Sequence, residues 1–177
     1  MPLRPAKTVR KIERAYTRVS HKVLRKNYIK GVPQPKIHLF EMGNPRKKFE
    51  LVVYLVAKTD AQIRHNALEA ARIIAHKLLE RKLGSEKYFF KILKFPHQVL
   101  REKPIATGAG ADRYSQGMRL AFGKPRGLAV RAFRGENLML VRVDENNLEV
   151  AKQALRRASS KLPLKTSILA KSLATES

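Results

Sequence analysis

The chain has 177 residues, with 38 Lys and Arg against 14 Asp and Glu, a formal net charge of +24 and no cysteine. Its length predicts one compact domain, and the lack of cysteine excludes disulfides, thiolate zinc sites and cysteine nucleophiles. So much like charge weakens a folded chain unless a polyanion neutralises it, which predicts either nucleic acid or an anionic membrane as the partner. The longest apolar run, LVVYLVA, is too short to span a bilayer, so no membrane partner is predicted.

The first 48 residues carry 14 basic and two acidic side chains, which is half of the net charge in about a quarter of the chain. Prolines at positions 2, 5, 33 and 35 disfavour helix and favour extended backbone. We therefore predict a basic N-terminal arm over residues 1–48, ordered mainly by its partner. Within it, the spacing of apolar residues in VSHKVLRKNYIK, residues 19–30, predicts a short basic helix.

The pattern of a folded core begins at Phe49, where FELVVYLVAK predicts a strand buried on both faces. A long amphipathic helix is predicted next, capped by Thr59 or Asp60 and ended by Gly84. Its apolar stripe is predicted to consist of Ile63, Ala67, Ala70, Ile74 and Leu78.

The rest of the chain predicts further strands and a second helix. KYFFKILKF and HQVLRE are predicted strands separated at Pro96, and GLAVRAF and NLMLVRV are predicted strands joined by a turn at Gly135. A helix is predicted over residues 147–161, before Pro163, and LKTSIL is a predicted last strand. The sequence thus predicts an α+β domain over residues 49–170, with two helices packed on one mixed sheet, and a C-terminal tail over 171–177.

An internal loop over residues 101–127 is predicted between these strands. GMRLAFGKP has five residues between its glycines and a proline where a phosphate-binding loop needs a hydroxyl, and GADR lacks the third glycine of a dinucleotide fingerprint. Residues 101–135 contain only two acidic side chains, Glu102 and Asp112, beside eight basic ones. A salt link or turn cap is favoured for Asp112 over catalysis. The five histidines are scattered, and neither a metal nor a cofactor is predicted.

The same loop has the composition of an RNA-binding segment. Arg113, Arg119, Lys124 and Arg126 are interspersed with glycines that let a backbone approach phosphate. Tyr114 and Phe122 offer faces for base stacking, although Phe122 could instead belong to the core. Because neither predicted helix follows a turn of the kind seen in DNA-reading motifs, RNA is favoured over DNA.

Several blocks, in order, resemble the archaeal and eukaryotic large-subunit ribosomal protein ten-e family, the counterpart of bacterial large-subunit protein sixteen. The blocks are LRPAK, AYTR, PQPKI, MGNP, QIRHNALEAAR, GADRYSQGMRLAFGKPRG and KLPLKTSI, and the resemblance covers about residues 2–169. It implies an α/β-hammerhead type of fold and a structural, non-catalytic, cytoplasmic protein. Members pack on large-subunit rRNA between the central protuberance and the stalk base, and join the particle late in assembly.

The resemblance also implies roles for particular residues. Members help to shape the aminoacyl-tRNA site, and their internal loop reaches toward the peptidyl transferase centre and the ends of bound tRNAs. The positions that match this loop are Arg101, Lys103, Gly108, Gly110, Asp112, Arg113 and Tyr114. The residues expected to bind rRNA are Arg4, Lys7, Arg18, Lys36, Arg119, Lys124 and Arg126.

The implied partners are large-subunit rRNA, tRNA near the aminoacyl and peptidyl sites, and neighbouring ribosomal proteins; no homo-oligomer is expected. Two other classes of function stay open at this point. An RNA-modifying or RNA-cleaving enzyme would need a converging acid, base or cofactor site, and a free architectural RNA binder would remain largely off the ribosome.

Overall fold

A computed structural model of the chain describes residues 4–12, 22–119 and 121–173, and over these it has an α+β fold, as predicted. The strands are β1 (Glu41–Gly43), β2 (Leu51–Ala57), β3 (Ala61–Arg64), β4 (Tyr88–Ile92), β5 (Gln98–Glu102), β6 (Lys124–Ala132), β7 (Asn137–Val143) and β8 (Thr166–Ser172). The α-helices are α1 (His65–Leu83), α2 (Ala111–Tyr114) and α3 (Leu148–Ser159).

The strands form two sheets rather than the single mixed sheet that the sequence predicted. Five strands lie in the order β1-β4-β7-β2-β8 and three in the order β3-β6-β5, and each of these pairings is antiparallel. The turn at Gly135 was predicted to close a hairpin, but the strands that it joins, β6 and β7, lie in different sheets and do not pair. The predicted buried strand is β2, which pairs with β7 on one side and β8 on the other.

The long helix begins later than predicted. Residues 61–64 were expected to form its first turn, but they are strand β3, in which Ala61 lies opposite Ala132 and Arg64 opposite Ala129 of β6. Pairing with a strand far along the chain therefore outweighs the local helical pattern. The predicted cap at Thr59 or Asp60 is wrong for the same reason, whereas the predicted end at Gly84, with φ of 74°, is confirmed.

The buried stripe of α1 is also shifted from the predicted one. Leu78 is common to both, but Ala67, Ala70 and Ile74 are only half-buried. The buried residues of the helix are Leu68, Ala71, Ala75, Leu78 and Leu79. Apolar residues stand side by side along this segment, so periodicity alone did not fix which of two adjacent faces meets the core.

The core lies between the five-stranded sheet and the pair formed by α1 and α3. The second helix matches its prediction closely, and its buried face consists of Ala151, Ala154, Leu155 and Ala158. The end of the chain differs: β8 runs through Ser172, so residues 170–172 are part of the sheet.

Part of the segment predicted as a basic arm belongs to the core. Ile37 is fully buried, Met42 is 8% exposed, and β1 pairs with β4 at the edge of the large sheet. The short basic helix predicted over residues 19–30 is a 3-10 turn at Leu24–Asn27, and the rest of that prediction, up to residue 21, lies outside the described residues. The separate role of residues 1–48 as an arm stays a prediction.

Candidate nucleic-acid interface

The predicted internal loop is held at its base by two paired strands. In β5 and β6, Glu102 lies opposite Lys124 and Arg101 opposite Pro125, with a register shift between Leu100 and Arg101. The ends of the predicted 101–127 loop are therefore strand residues, and the connecting segment runs from residue 103 to residue 123. Both of its ends are fixed at one place on the small sheet.

Gly123 allows the two ends of this segment to come together. A Cβ at this position would lie 2.8 Å from the backbone nitrogen and carbonyl carbon of Glu102, which is closer than real Cβ contacts. Only glycine fits such an approach without displacing backbone. The first glycine of the FGKPRG block, Gly123, is thus required by packing at the loop base.

The segment between the two strands has internal structure. Gly110 is left-handed, with φ of 74°, and precedes the single turn α2. Ser115 Oγ accepts a hydrogen bond from the Ala106 backbone at 3.2 Å and donates one to the Ala111 carbonyl at 3.3 Å. The Lys103 ammonium donates to the Arg119 carbonyl and so links the two sides of the segment.

Both aromatic side chains of the loop are available to a ligand. Tyr114 is 86% exposed and Phe122 is 65% exposed, so the alternative that Phe122 belongs to the core is wrong. The Arg101 guanidinium carbon lies 4.1 Å from the centroid of the Phe122 ring, a cation–π contact across the loop base. Exposed rings beside cations are the arrangement that stacks unpaired RNA bases.

A cleft of about 690 Å³ separates the N-terminal segment from the loop base. A second hollow of about 880 Å³ shares residues with it and extends along the loop past Arg113 and Tyr114. The basic residues that line the first cleft are Arg4, Arg64, Arg101, Lys103 and Arg126, and Glu102 is the one acidic residue among its described lining residues. Predicted site residues that are distant in sequence thus line one cationic cleft.

Two contacts hold the N-terminal segment beside the loop. Arg4 forms an ion pair with Glu102 of β5, and the Arg64 guanidinium donates a hydrogen bond to the Arg4 carbonyl at 2.7 Å. Arg4 therefore balances the one carboxylate among the described lining residues, and the other lining cations keep their excess of positive charge.

The other predicted residues fall into three groups. Lys7 is exposed in a 3-10 turn and Lys36 is exposed beside α1. Arg18 lies outside the described residues. The residues on or beside the loop that are exposed are Gly108, Asp112, Arg113, Tyr114, Arg119, Lys124 and Arg126, whereas Gly110 is half-buried.

His65 is a cleft residue that sequence reasoning did not select. Its Nδ1 accepts a hydrogen bond from the Lys36 backbone at 3.1 Å. Burial lowers the pKa of the His65 imidazole below its ordinary 6.5, and the nearby positive charges of Lys36 and Arg64 lower it further. His65 and Arg64 stood in the QIRHN block, but their place in the cleft depends on β3, which the sequence did not reveal.

Two further features of the described residues bear on other classes of function. Over residues 4–12, 22–119 and 121–173, no group of three or more His, Asp or Glu side chains is placed to hold a metal ion. None of the helices in this part of the chain combines the length and the apolar composition that a membrane crossing requires.

Comparison with known proteins gives a consistent answer. The family model described as ribosomal protein L16p/L10e matches residues 13–169. Similar proteins include large ribosomal subunit protein uL16 of Staphylothermus marinus, 51% identical, with 98% of this chain and 96% of the relative covered. Those of Sulfolobus acidocaldarius and Archaeoglobus fulgidus are 50% and 47% identical over 95% and 96% of this chain, with 93% of each relative covered.

Of the described elements, the matched region contains the three α-helices, the internal loop, strands β1 to β7 and the first four residues of β8. The family model covers well over half of the chain, and the relatives are similar over nearly their whole length. The chain belongs to the ribosomal protein L16p/L10e family and is a protein of the large ribosomal subunit.

Proposed function

We propose that this large-subunit protein has a structural role: it binds large-subunit rRNA, helps to shape the aminoacyl-tRNA site and extends its internal loop toward the peptidyl transferase centre. It acts in the cytoplasm without catalysing a reaction. Its partners are rRNA, the tRNAs of the aminoacyl and peptidyl sites, and neighbouring ribosomal proteins.

The observation that carries the proposal is the charge of the first cleft. Its described lining has five basic residues and one acidic residue, and that acidic residue is already paired with Arg4. A cationic cleft with exposed aromatic rings at its edge favours phosphates together with unpaired bases. A polyanion in this position also offsets the repulsion of a chain with net charge +24.

The residues have different roles within this proposal. Phosphate contacts are assigned to Arg4, Lys7, Arg18, Lys36, Arg119, Lys124 and Arg126. The residues assigned to the side that faces the tRNA ends are Arg101 at the loop base and, within the loop, Lys103, Gly108, Gly110, Asp112, Arg113 and Tyr114. Tyr114 supplies a stacking face at 86% exposure, and Arg113 precedes it on the same turn of helix.

The first experiment asks whether the tagged protein sediments with the large subunit through sucrose gradients at physiological and high salt. Stoichiometric migration with the subunit at both salt concentrations supports an integral component. Migration in light fractions supports a free RNA binder instead, and turnover of naked RNA by the purified chain would support an enzyme.

A variant then tests the loop. The Arg113→Ala protein should assemble into subunits normally, because Arg113 is exposed on the loop and is not part of the core. It should impair tRNA accommodation, because the proposal places this side chain beside the tRNA ends. Lys87→Ala removes an exposed cation of the turn before β4, outside the loop, and is the matched control. Loss of folding with normal translation by the residual particles would contradict the assignment.

A further inference from the structure

Four turns that are far apart in sequence meet at the end of the molecule opposite the loop. The Lys58 backbone donates to the Lys165 carbonyl at 2.9 Å, which joins the turn after β2 to the turn before β8. Arg10 donates to the Pro163 carbonyl at 3.3 Å, and the Arg134 backbone donates to Asp60 Oδ1 at 2.7 Å. These bonds hold the N-terminal segment against the turn before β8, and the turn after β6 against the turn after β2.

Every one of these turns carries exposed basic side chains. We call the group the end patch; it consists of Arg10, Lys11, Lys58, Arg134, Lys161 and Lys165, all exposed. The turn after β2 contains the acidic residue Asp60 and the turn after β6 contains Glu136, and both side chains already have partners. Asp60 accepts from the Arg134 backbone, while Glu136 pairs with Lys94 at 2.9 Å and accepts from the Phe133 backbone. Positive charge is therefore in excess across the end patch.

Apart from Arg10 and Lys11, which follow the cleft-lining residues Thr8 and Val9, the end patch is separated from the loop by the length of β6. Strand β6 runs from Lys124 at the loop base to Ala132, two residues before Arg134. At about 3.3 Å per residue, its length of nine residues spans roughly 26 to 30 Å. One basic surface therefore lies at each end of β6, and a buried stretch of that strand, residues 127 to 130, lies between them.

We propose that the end patch is a second RNA-binding surface, which holds a stretch of rRNA backbone separate from the one at the loop. The inference rests on the proposed function, since it assigns a further surface to the same polyanionic partner. Six cations on four turns suit a row of phosphates, because each turn is fixed by hydrogen bonds to its neighbour and the charges are held apart without ordering a loop on binding.

The exposed ring of Phe133 favours RNA, rather than a ligand that offers only negative charge, as the partner of the end patch. Phe133 stands next to Arg134 and is 46% exposed, so a ring face lies beside the cations. Stacking of an unpaired base on such a ring adds binding energy that phosphates alone do not supply. The end patch thus combines the same two kinds of contact as the loop.

The test compares three triple variants of the full chain. Lys58→Gln with Arg134→Gln and Lys165→Gln removes three of the six cations of the end patch. Arg113→Gln with Arg119→Gln and Lys124→Gln removes three cations from the loop and its base. Lys77→Gln with Arg81→Gln and Lys87→Gln removes three exposed cations from α1 and its following turn and serves as the control. Affinity for protein-free archaeal large-subunit rRNA is measured from 100 to 400 mM KCl.

The end-patch variant should bind the rRNA about tenfold or more weakly at the lowest salt concentration. The slope of log affinity against log salt concentration should be shallower by about 2 to 3, since each lost phosphate contact lowers that slope by roughly 0.7 to 0.9. The control should keep the unaltered affinity and slope. Combining the end-patch and loop variants should multiply their losses, because separate surfaces act independently.

Two results separate the two proposals. If the loop variant loses affinity and the end-patch variant behaves like the control, the second surface is overturned and the proposed function stands. If neither variant loses affinity, both are overturned.

Unfolding midpoints of the three variants are compared beforehand. Should the end-patch variant be unstable, the chain with Ser160→Cys, carrying tethered Fe(II)–EDTA, replaces it: cleavage of rRNA at nucleotides not cleaved from the loop supports the proposal, and no cleavage overturns it.

Discussion

The guanidinium of Arg101 lies against the ring of Phe122, with 4.1 Å between the guanidinium carbon and the ring centroid. Arg101 belongs to β5 and Phe122 stands just before β6, so the contact spans the two ends of the internal loop. A cation–π contact at an exposed site stabilises by about 0.5–1 kcal/mol. This contact therefore helps to close the base from which the loop extends.

Replacing Phe122 should loosen the loop without unfolding the domain. Phe122→Leu removes the ring, and we expect amide exchange over residues 103–121 to become about twofold to fivefold faster. Phe122→Tyr keeps the aromatic face and should exchange at the original rate. Equal exchange in the Leu and Tyr variants would show that the ring does not hold the loop base.

Gln62 should anchor the N-terminal segment. It is 1% exposed, and its side-chain amide donates to the Lys11 and Ile12 carbonyls at 3.0 and 2.9 Å. Gln62→Ala leaves those carbonyls without their donor, and we expect a loss of about 1–3 kcal/mol in the free energy of unfolding. Trypsin should also cut sooner after Arg10 and Lys11. Gln116→Ala, at an exposed loop position, is the control, and equal stability and cleavage in the two variants would rule out the anchor.

Leu79 and Ile74 test which face of α1 meets the core. Leu79 is fully buried whereas Ile74 is only half-buried. Leu79→Ala should lower the free energy of unfolding by about 2–5 kcal/mol through the cavity that it leaves. Ile74→Ala should lower it clearly less, as measured by urea unfolding. A larger loss of stability in Ile74→Ala would instead support the buried face of α1 that the sequence predicted.

His65 should make stability fall in mildly acidic solution. Its pKa is lowered in the folded state, so the unfolded chain takes up the proton first as the pH falls below the ordinary value of 6.5. The contribution of this group is therefore complete above pH 6.5 and is lost progressively below it. We expect His65→Gln to reduce the drop in urea midpoint between pH 7.5 and 5.5 relative to the unaltered chain. An unchanged pH dependence in the His65 variant would exclude this group as its source.

Much of the fold follows from local pattern. The run LVVYLVA is β2 over the same residues, Leu51–Ala57, and the helix predicted over 147–161 is α3 at Leu148–Ser159. In each case the apolar pattern, continuous in β2 and periodic in α3, is followed by residues that do not continue it, such as Pro163 after α3. The predicted loop is likewise present between β5 and β6, because its glycines and charges leave nothing to bury.

The parts that escaped prediction depend on distant partners. β3 exists because Ala61–Arg64 pairs with β6, and no local signal distinguishes its four residues from the first turn of a helix. The cleft likewise needs Arg4, Arg64 and Glu102 to meet, and these residues are up to 98 positions apart. Charge composition indicated an RNA partner, but only the tertiary contacts bring the cations into one cleft.

The central claim is that the internal loop lies beside the ends of the ribosome-bound tRNAs, and directed cleavage tests it most directly. Because the chain has no cysteine, Tyr114→Cys creates a unique attachment point for Fe(II)–EDTA on the loop, and Ser85→Cys creates one at an exposed turn after α1. In ribosomes carrying these proteins and tRNA in both sites, we expect hydroxyl radicals from position 114 to cut the acceptor ends of the tRNAs, and those from position 85 to spare them. Intact tRNA with a radical source at position 114, in particles where nearby rRNA is cut, would contradict the account.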